Sequence, residues 1–352
     1  MALLFKKIIL ILLPLIVMLS VYLVFDPFEV IYPYAVRYND PNVSYNWDYN
    51  QVEMLLQNYE ARKYDSFIFG NSRSMAFLCS DWVHHIDSPR TLHFAAAKEG
   101  VFGIHAKVML LSRGKMPIRN ALLVLDPWSL SLATNTPGFL YLKHPKTSGE
   151  NLLTFHQTFF RSFIELKFFF GYLDYKLTGK VRPLFQDMFS EGITFDRVNG
   201  DKRLLGKEKS IEESPKAYYN SLGSTHQLYP RDLTTVHFAD PVLSETHTRY
   251  LKEIRKIFDD NQTNYRLVIS PTYDAKQLNP KDLAKITEIF GADRVHDYSG
   301  INQFTRDPHN YYENSHFRFR VGREIMDEIY ATPLNPPTPL APLDRGEAGG
   351  KP

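Results

Sequence analysis

The sequence predicts an α/β fold built on a doubly wound parallel sheet, preceded by an apolar N-terminal segment and interrupted by a mostly helical insertion. Three observations predict it. Short apolar runs at Asp65–Phe69, Thr91–Ala97 and Ala121–Leu125 alternate with segments of helical periodicity, which is the rhythm of strand, helix and parallel strand. The same rhythm resumes after residue 231. The run Ala121-Leu122-Leu123-Val124-Leu125 also has no polar position, as a strand covered on both faces requires.

Taken in order, residues 1–26 read as a membrane anchor. Ile8 to Phe25 is an uncharged apolar run, long enough as a helix to cross a hydrocarbon core of about 30 Å. A cleaved secretory signal is the alternative, but Ser20-Val21-Tyr22-Leu23-Val24-Phe25 is too bulky for a signal peptidase site. Lys6 and Lys7 before the run, with Asp26 after it, place the N-terminus in the cytoplasm and the remaining chain in the periplasm or outside the cell. Residues 27–60 read as a juxtamembrane connector rich in Pro, Tyr, Asn and Asp, leading into a first helix at Trp47–Arg62.

Residues 61–136 hold the first part of the α/β domain. The strand ending at Phe69 turns through Asn71 to Ser74 into an expected helix, and a second helix is expected from about Ile104 to Ser112. In residues 137–231 the rhythm stops, giving way to one aromatic helix from Phe155 to Leu177 and then to charged, turn-rich sequence. Its aromatic stripe reads as packing within the protein, with a membrane-facing or partner-binding surface as the alternative. Residues 232–331 complete the domain with helices at Leu243–Phe258, Lys281–Phe290 and Val321–Tyr330, and strands at Tyr265–Ser270 and Arg294–Tyr298. Residues 332–352 are dense in Pro and lack a periodic apolar face, which predicts a disordered tail.

Composition removes several functions. A formal net charge of +2 without a long block of one sign leaves no electrostatic footprint for nucleic acid. The single cysteine, Cys79, excludes an internal disulfide and any zinc site built on paired cysteines, and reads as a buried small hydrophobe. The 12 histidines show no ligand spacing, so neither a metal nor a cofactor is expected.

Two short blocks carry chemistry. Phe67-Ile68-Phe69-Gly70-Asn71-Ser72-Arg73-Ser74 runs an apolar strand into a small, polar turn bearing Ser72. Near the other end, Tyr312-Glu313-Asn314-Ser315-His316-Phe317 supplies an acid and an imidazole three residues apart. A serine hydroxyl attacks a carbonyl only when an imidazole accepts its proton, and the imidazole needs a third group to fix its tautomer. Ser72, His316 and Glu313 fit those three roles, and the Ser72 amide is a natural oxyanion donor.

On these blocks the chain resembles the SGNH (GDSL-type) hydrolase superfamily, and within it the membrane-anchored bacterial branch typified by proteins of alginate O-acetylation and teichoic-acid D-alanylation. The resemblance implies a flavodoxin-like three-layer sandwich with Ser72 as nucleophile, His316 as base and Glu313 as orienting acid. It also implies Gly100 as a second oxyanion donor, with Gly103 as the alternative. Three departures stand out. Asn71 replaces the family Asp of the serine block, Glu313 replaces the usual Asp with Asp307 as a fallback, and the Gly-x-Asn-Asp block is replaced by Leu125-Asp126-Pro127-Trp128-Ser129. Arg73 reads either as an anion-binding group or as the partner of a buried acid such as Asp126. Tyr273, in Ser270-Pro271-Thr272-Tyr273 at a strand's carboxyl end, and Trp128 read as sugar-stacking walls or as loop packing.

The activity implied is transfer or removal of an acyl group, O-acetyl above all, on a cell-envelope or exported polysaccharide, beside a membrane-bound O-acyltransferase. The alternative, favoured by the departures, is a non-catalytic envelope assembly or carbohydrate-binding protein that keeps the fold with a decayed site.

Overall fold

The computed structural model describes residues 2–35, 38–40, 42–189 and 193–332, apart from the side chains of residues 2–6, 8, 9, 11 and 187. Helices α1 (Ala2–Phe25) and α2 (Trp47–Arg62) lead to β1 (Ser66–Gly70), β2 (Thr91–His93), α3 (Val101–Arg113) and β3 (Asn120–Leu125). The insertion contributes α4 (Leu152–Phe163), α5 (Leu166–Thr178), the strand pair β4 (Thr194–Phe195) and β5 (Lys202–Arg203), α6 (Leu205–Glu213) and α7 (Pro215–Ser224). The chain returns through α8 (Glu245–Asp260), β6 (Asn264–Ile269), α9 (Pro280–Phe290) and β7 (Val295–Asp297). A hairpin of β8 (Tyr311–Glu313) and β9 (His316–Phe317) precedes α10 (Phe319–Tyr330).

Five strands form one parallel sheet in the order β2-β1-β3-β6-β7. Successive side chains of a strand point to opposite faces, and here each face finds its own core. Phe67, Phe69, Leu123 and Leu267 enter a cluster shared with α2, α3, α8 and α9, whereas Ile68, Leu122, Val124 and Val268 enter a second cluster shared with α10. Both faces of the sheet are therefore covered, which accounts for the unbroken apolar run in β3. The strand order reverses between β1 and β3, because the chain leaves β1 to one side for β2 and returns on the other. Crossovers diverge at such a point and open a crevice at the carboxyl ends of the strands. Ser72 follows β1 directly at that place.

Two expected helices differ. The segment after Asn71 opens as a 3-10 turn at Ser72–Ala76, and a single turn of α-helix follows only at Cys79–Trp82. Asn71 accepts from the Arg73 N–H through its side chain and from the Ser74 N–H and hydroxyl through its carbonyl, so local polar groups compete with α-helical pairing. The aromatic helix expected from Phe155 to Leu177 is two helices, breaking at Ile164 and Glu165. The break lets Phe163 meet Phe168, Phe169 and Tyr172 of the following helix edge-on. These rings pack with Tyr22 and Phe28 into a separate aromatic core, while Phe170 stays exposed.

The anchor expected at Ile8–Phe25 lies within α1, whose described side chains from Leu10 to Phe25 include a series of exposed apolar groups. Among the described residues no helix is long and apolar enough to cross a membrane. The expected tail lies, from residue 333 onward, outside the described residues.

The insertion is tied to the sheet domain by buried charge. Lys107 on α3 stands 3.0 Å from Asp48 of α2 and also bonds Glu99, and Lys143 of the insertion stands 2.8 Å from Glu99. Burial of Asp48 opposes its charge, but Lys107 and Lys143 outweigh that and hold its carboxyl below the ordinary range.

Candidate active site

The hairpin of β8 and β9 explains the acid-x-x-His spacing. Glu313 and His316 are cross-strand partners flanking the turn residues Asn314 and Ser315, so their side chains stand together on one face of the ladder. His316 Nδ1 hydrogen-bonds Glu313 Oε1, and Nε2 lies 2.9 Å from Ser72 Oγ. With Nδ1–H donated to the carboxylate, Nε2 presents a lone pair to the serine proton, which is the tautomer a general base needs. Ring contact between Phe317 and Phe77 (centroids 6.0 Å apart) braces β9 on the serine side. Gly322 lets α10 close on the same turn, since a Cβ there would lie 2.1 Å from the Ala76 carbonyl oxygen.

Glu313 is largely buried, which by itself would raise its pKa; the hydrogen bond and charge of His316 and the ammonium of Lys207 outweigh burial and bring the carboxyl below the ordinary glutamate range. Glu313 Oε2 accepts from Lys207 Nζ, a residue of α6. Asp307 is elsewhere: it accepts from the N–H and ring of His309 and does not meet His316.

The turn bearing Ser72 is held by two buried networks. On one side Asp126, capping the turn after β3, accepts from Asn71 Nδ2 at 2.6 Å and Arg73 Nη1 at 2.9 Å through one oxygen, and from the Ser129 N–H through the other. Arg73 is thus the partner of the buried acid. On the other side Ser74 Oγ donates to the Asn71 carbonyl at 2.7 Å and lies 2.9 Å from His93 Nε2, while His93 Nδ1 lies 3.1 Å from Asp201 Oδ1. Ser74, His93 and Asp201 form a serine-histidine-acid chain with no exposure at all, so no substrate reaches it; it braces the turn. No sequence spacing signals it, because Asp201 comes from the insertion, 108 residues beyond His93.

Within the 3-10 turn the Arg73 and Ser74 amides are both taken by Asn71, leaving the Ser72 N–H as the first turn's unpartnered donor among the described residues. Gly100 caps α3 and lies against Leu132, where a Cβ would approach Leu132 Cβ to 2.3 Å, so packing accounts for that glycine. Gly103 faces Glu99 and Lys143 of the buried charge cluster. An oxyanion role for Gly100 rests on the resemblance alone.

A cavity of about 540 Å³ has Arg73, Trp128, Tyr273 and Asn314 in its walls, together with Tyr229, Asp240, Asp274 and Lys276. The three residues expected to touch substrate thus share one space, whose edge includes the chain neighbours of Ser72 and Glu313. Trp128 is 40% exposed there, whereas Tyr273 is buried, its hydroxyl donating to the Tyr229 carbonyl and its ring covered by the Arg231 guanidinium. Among the described residues no group of three His, Cys, Asp or Glu side chains could hold a metal ion. Cys79 is buried beside Asp201, and burial pushes its thiol well up.

No protein-family model matches the chain, and no curated protein matches its sequence.

Proposed function

We propose that the protein is an SGNH-type serine acyltransferase or esterase that handles acyl groups, most simply O-acetyl, of a cell-envelope or exported polysaccharide. The observation that carries the reading is the chain Ser72, His316 and Glu313, joined at hydrogen-bond distance from blocks 244 residues apart at the switch point of the sheet. Ser72 Oγ bonds to the acyl carbon while its proton passes to His316 Nε2; the Ser72 N–H faces the oxyanion. Collapse breaks the bond to the leaving oxygen, which takes the proton from His316. An acceptor hydroxyl, or water in an esterase, then gives its proton to His316 as it attacks the acyl carbon, and the bond from that carbon to Ser72 Oγ breaks while Oγ takes the proton back from His316. Glu313 holds the imidazole throughout. The cavity bearing Trp128 would receive the glycan, an aromatic face against a sugar ring.

The exposed apolar side chains of α1 support attachment to the cytoplasmic membrane, with Lys6 and Lys7 on the cytoplasmic side and the α/β domain outside. A membrane-bound O-acyltransferase is the partner that this layout suits.

One observation favours a second reading, a non-catalytic envelope assembly or carbohydrate-binding protein. At the end of β3, where a side-chain donor would assist the oxyanion, stands Asp126, an acceptor already filled by Asn71 and Arg73. Intact-mass spectrometry after incubation with an activated acetyl ester separates the two. An acetyl adduct in the wild type that is absent in Ser72→Ala is the expected result; no adduct and no ester turnover with several acyl donors would leave the binding role.

A further inference from the structure

The insertion does more than cover the fold, because its helices grip the hairpin that carries the acid and the base. Lys207 Nζ bonds Glu313 Oε2. One residue on, Glu208 accepts from the Tyr312 hydroxyl and from Arg318 Nη2 at 2.5 Å, bracketing the hairpin at both ends. From α7, the Tyr218 hydroxyl donates to the Tyr312 carbonyl at 2.8 Å and Tyr219 to the His309 carbonyl at 2.9 Å. The Gln227 carbonyl accepts from the Asn314 N–H in the turn between acid and base. A strand pair of this length has little stability of its own, so its geometry is set by what it is packed against.

We propose that the insertion completes the active site, with Lys207 a positioning residue that acts on His316 through Glu313; the inference rests on the acyl-transfer reading above. Glutamate carries one methylene and one rotatable bond more than aspartate, so a Glu fixed only at His316 would leave the imidazole free to swing. Anchoring the second carboxylate oxygen on Lys207 removes that freedom and keeps Oε1 on Nδ1. Lys207 also offsets part of the charge of a carboxylate that is 13% exposed, while its own side chain is 40% exposed and contributes little packing. The unusual acid and the insertion are two halves of one solution.

The test compares the full-length wild type with Lys207→Met and Lys207→Arg. With an activated acetyl ester, Lys207→Met should lower kcat roughly ten- to hundredfold, as expected for a loosened base, with KM within about twofold. Lys207→Arg should restore most of the rate, and all three thermal midpoints should agree within about 3 °C, as for substitution of a half-exposed side chain. Wild-type kcat in Lys207→Met overturns the inference and leaves the acyl-transfer reading intact. A wild type without Ser72-dependent turnover instead defeats that reading, and proton NMR then judges Lys207 without turnover. A downfield His316 Nδ1–H resonance present in the wild type and lost in Lys207→Met supports it; a resonance unchanged in Lys207→Met, or absent from the wild type, overturns it.

Discussion

Replacing Glu313 by Gln tests the site at its most informative atom. The two side chains have the same shape, so packing is preserved and only charge and hydrogen-bond direction change. Lys207 decides which way the new amide points. An ammonium can only donate, so it captures the amide oxygen and turns the NH2 group toward His316 Nδ1. An NH2 facing Nδ1 demands a lone pair there, which moves the ring proton to Nε2, the atom 2.9 Å from Ser72 Oγ. Nε2 then donates to the serine instead of accepting from it, and the base is lost by tautomer alone. Losses of this origin are on the order of 10³ to 10⁴ in kcat, equivalent to about 4 to 5.5 kcal/mol of transition-state stabilisation. Steady-state hydrolysis of an activated acetyl ester measures it, with the Ser72 adduct followed by intact mass. Glu313→Asp keeps the charge but cannot span both partners, so a milder loss of roughly ten- to hundredfold is expected. In the double variant Glu313→Gln with Lys207→Met, the amide is free to offer its oxygen to Nδ1–H, and about tenfold of the lost rate should return. A Glu313→Gln enzyme within threefold of the wild type would refute the assignment of Glu313 as the orienting acid.

Four further substitutions probe the frame. Lys107→Met leaves Asp48 and Glu99 buried with only Lys143, and should destabilise the fold by about 3 to 5 kcal/mol in urea titration; a loss below about 1 kcal/mol would mean that water or relaxation replaces the pair. Ser72→Ala should leave the thermal midpoint nearly unchanged, whereas Ser74→Ala, two residues on, removes a buried donor to Asn71 and should lose about 1 to 3 kcal/mol by the same measurement. For His296, burial and then the Arg266 charge lower the folded pKa from 6.5 to about 4. Between those values the unfolded chain binds the extra proton, so this ring's contribution is complete above about pH 6.5 and is lost as pH falls toward 4. Allowing for solvent at a half-buried ring, that is about 1 to 2 kcal/mol; His296→Leu should flatten the acid slope of stability, and an unchanged slope would assign it to other groups.

What the sequence made legible is what it encodes locally. Ser72 stands out because an apolar strand ends two residues before it, and Glu313 and His316 because a hairpin turn puts residues three apart opposite one another. The hairpin itself escaped, since β8 and β9 are shorter than the period of two needs to declare itself, and His316 reads as a residue ahead of a helix. Arg73 with Asp126 was readable as a pairing, but Asn71 as a further ligand of the same carboxylate was not.

The partners from the insertion left no trace in spacing at all. Lys207 reaches Glu313 across 106 residues and Asp201 reaches His93 across 108, from a segment whose composition reads only as charged and turn-rich. Both contacts nevertheless fall on the two pieces that meet at the site, Lys207 on the hairpin that carries His316 and Asp201 on His93, which lies against Ser74 in the turn that carries Ser72. An α/β sheet fixes where its strands end to within a residue but leaves the loops beyond them free. The proposed proton transfer between Ser72 and His316 would tolerate only a small misplacement, so the loops would need a second frame, which is the role inferred for the insertion. It follows that substitutions in α6 should alter turnover before they alter stability, while those in the Asp48, Glu99, Lys107 and Lys143 cluster should do the reverse.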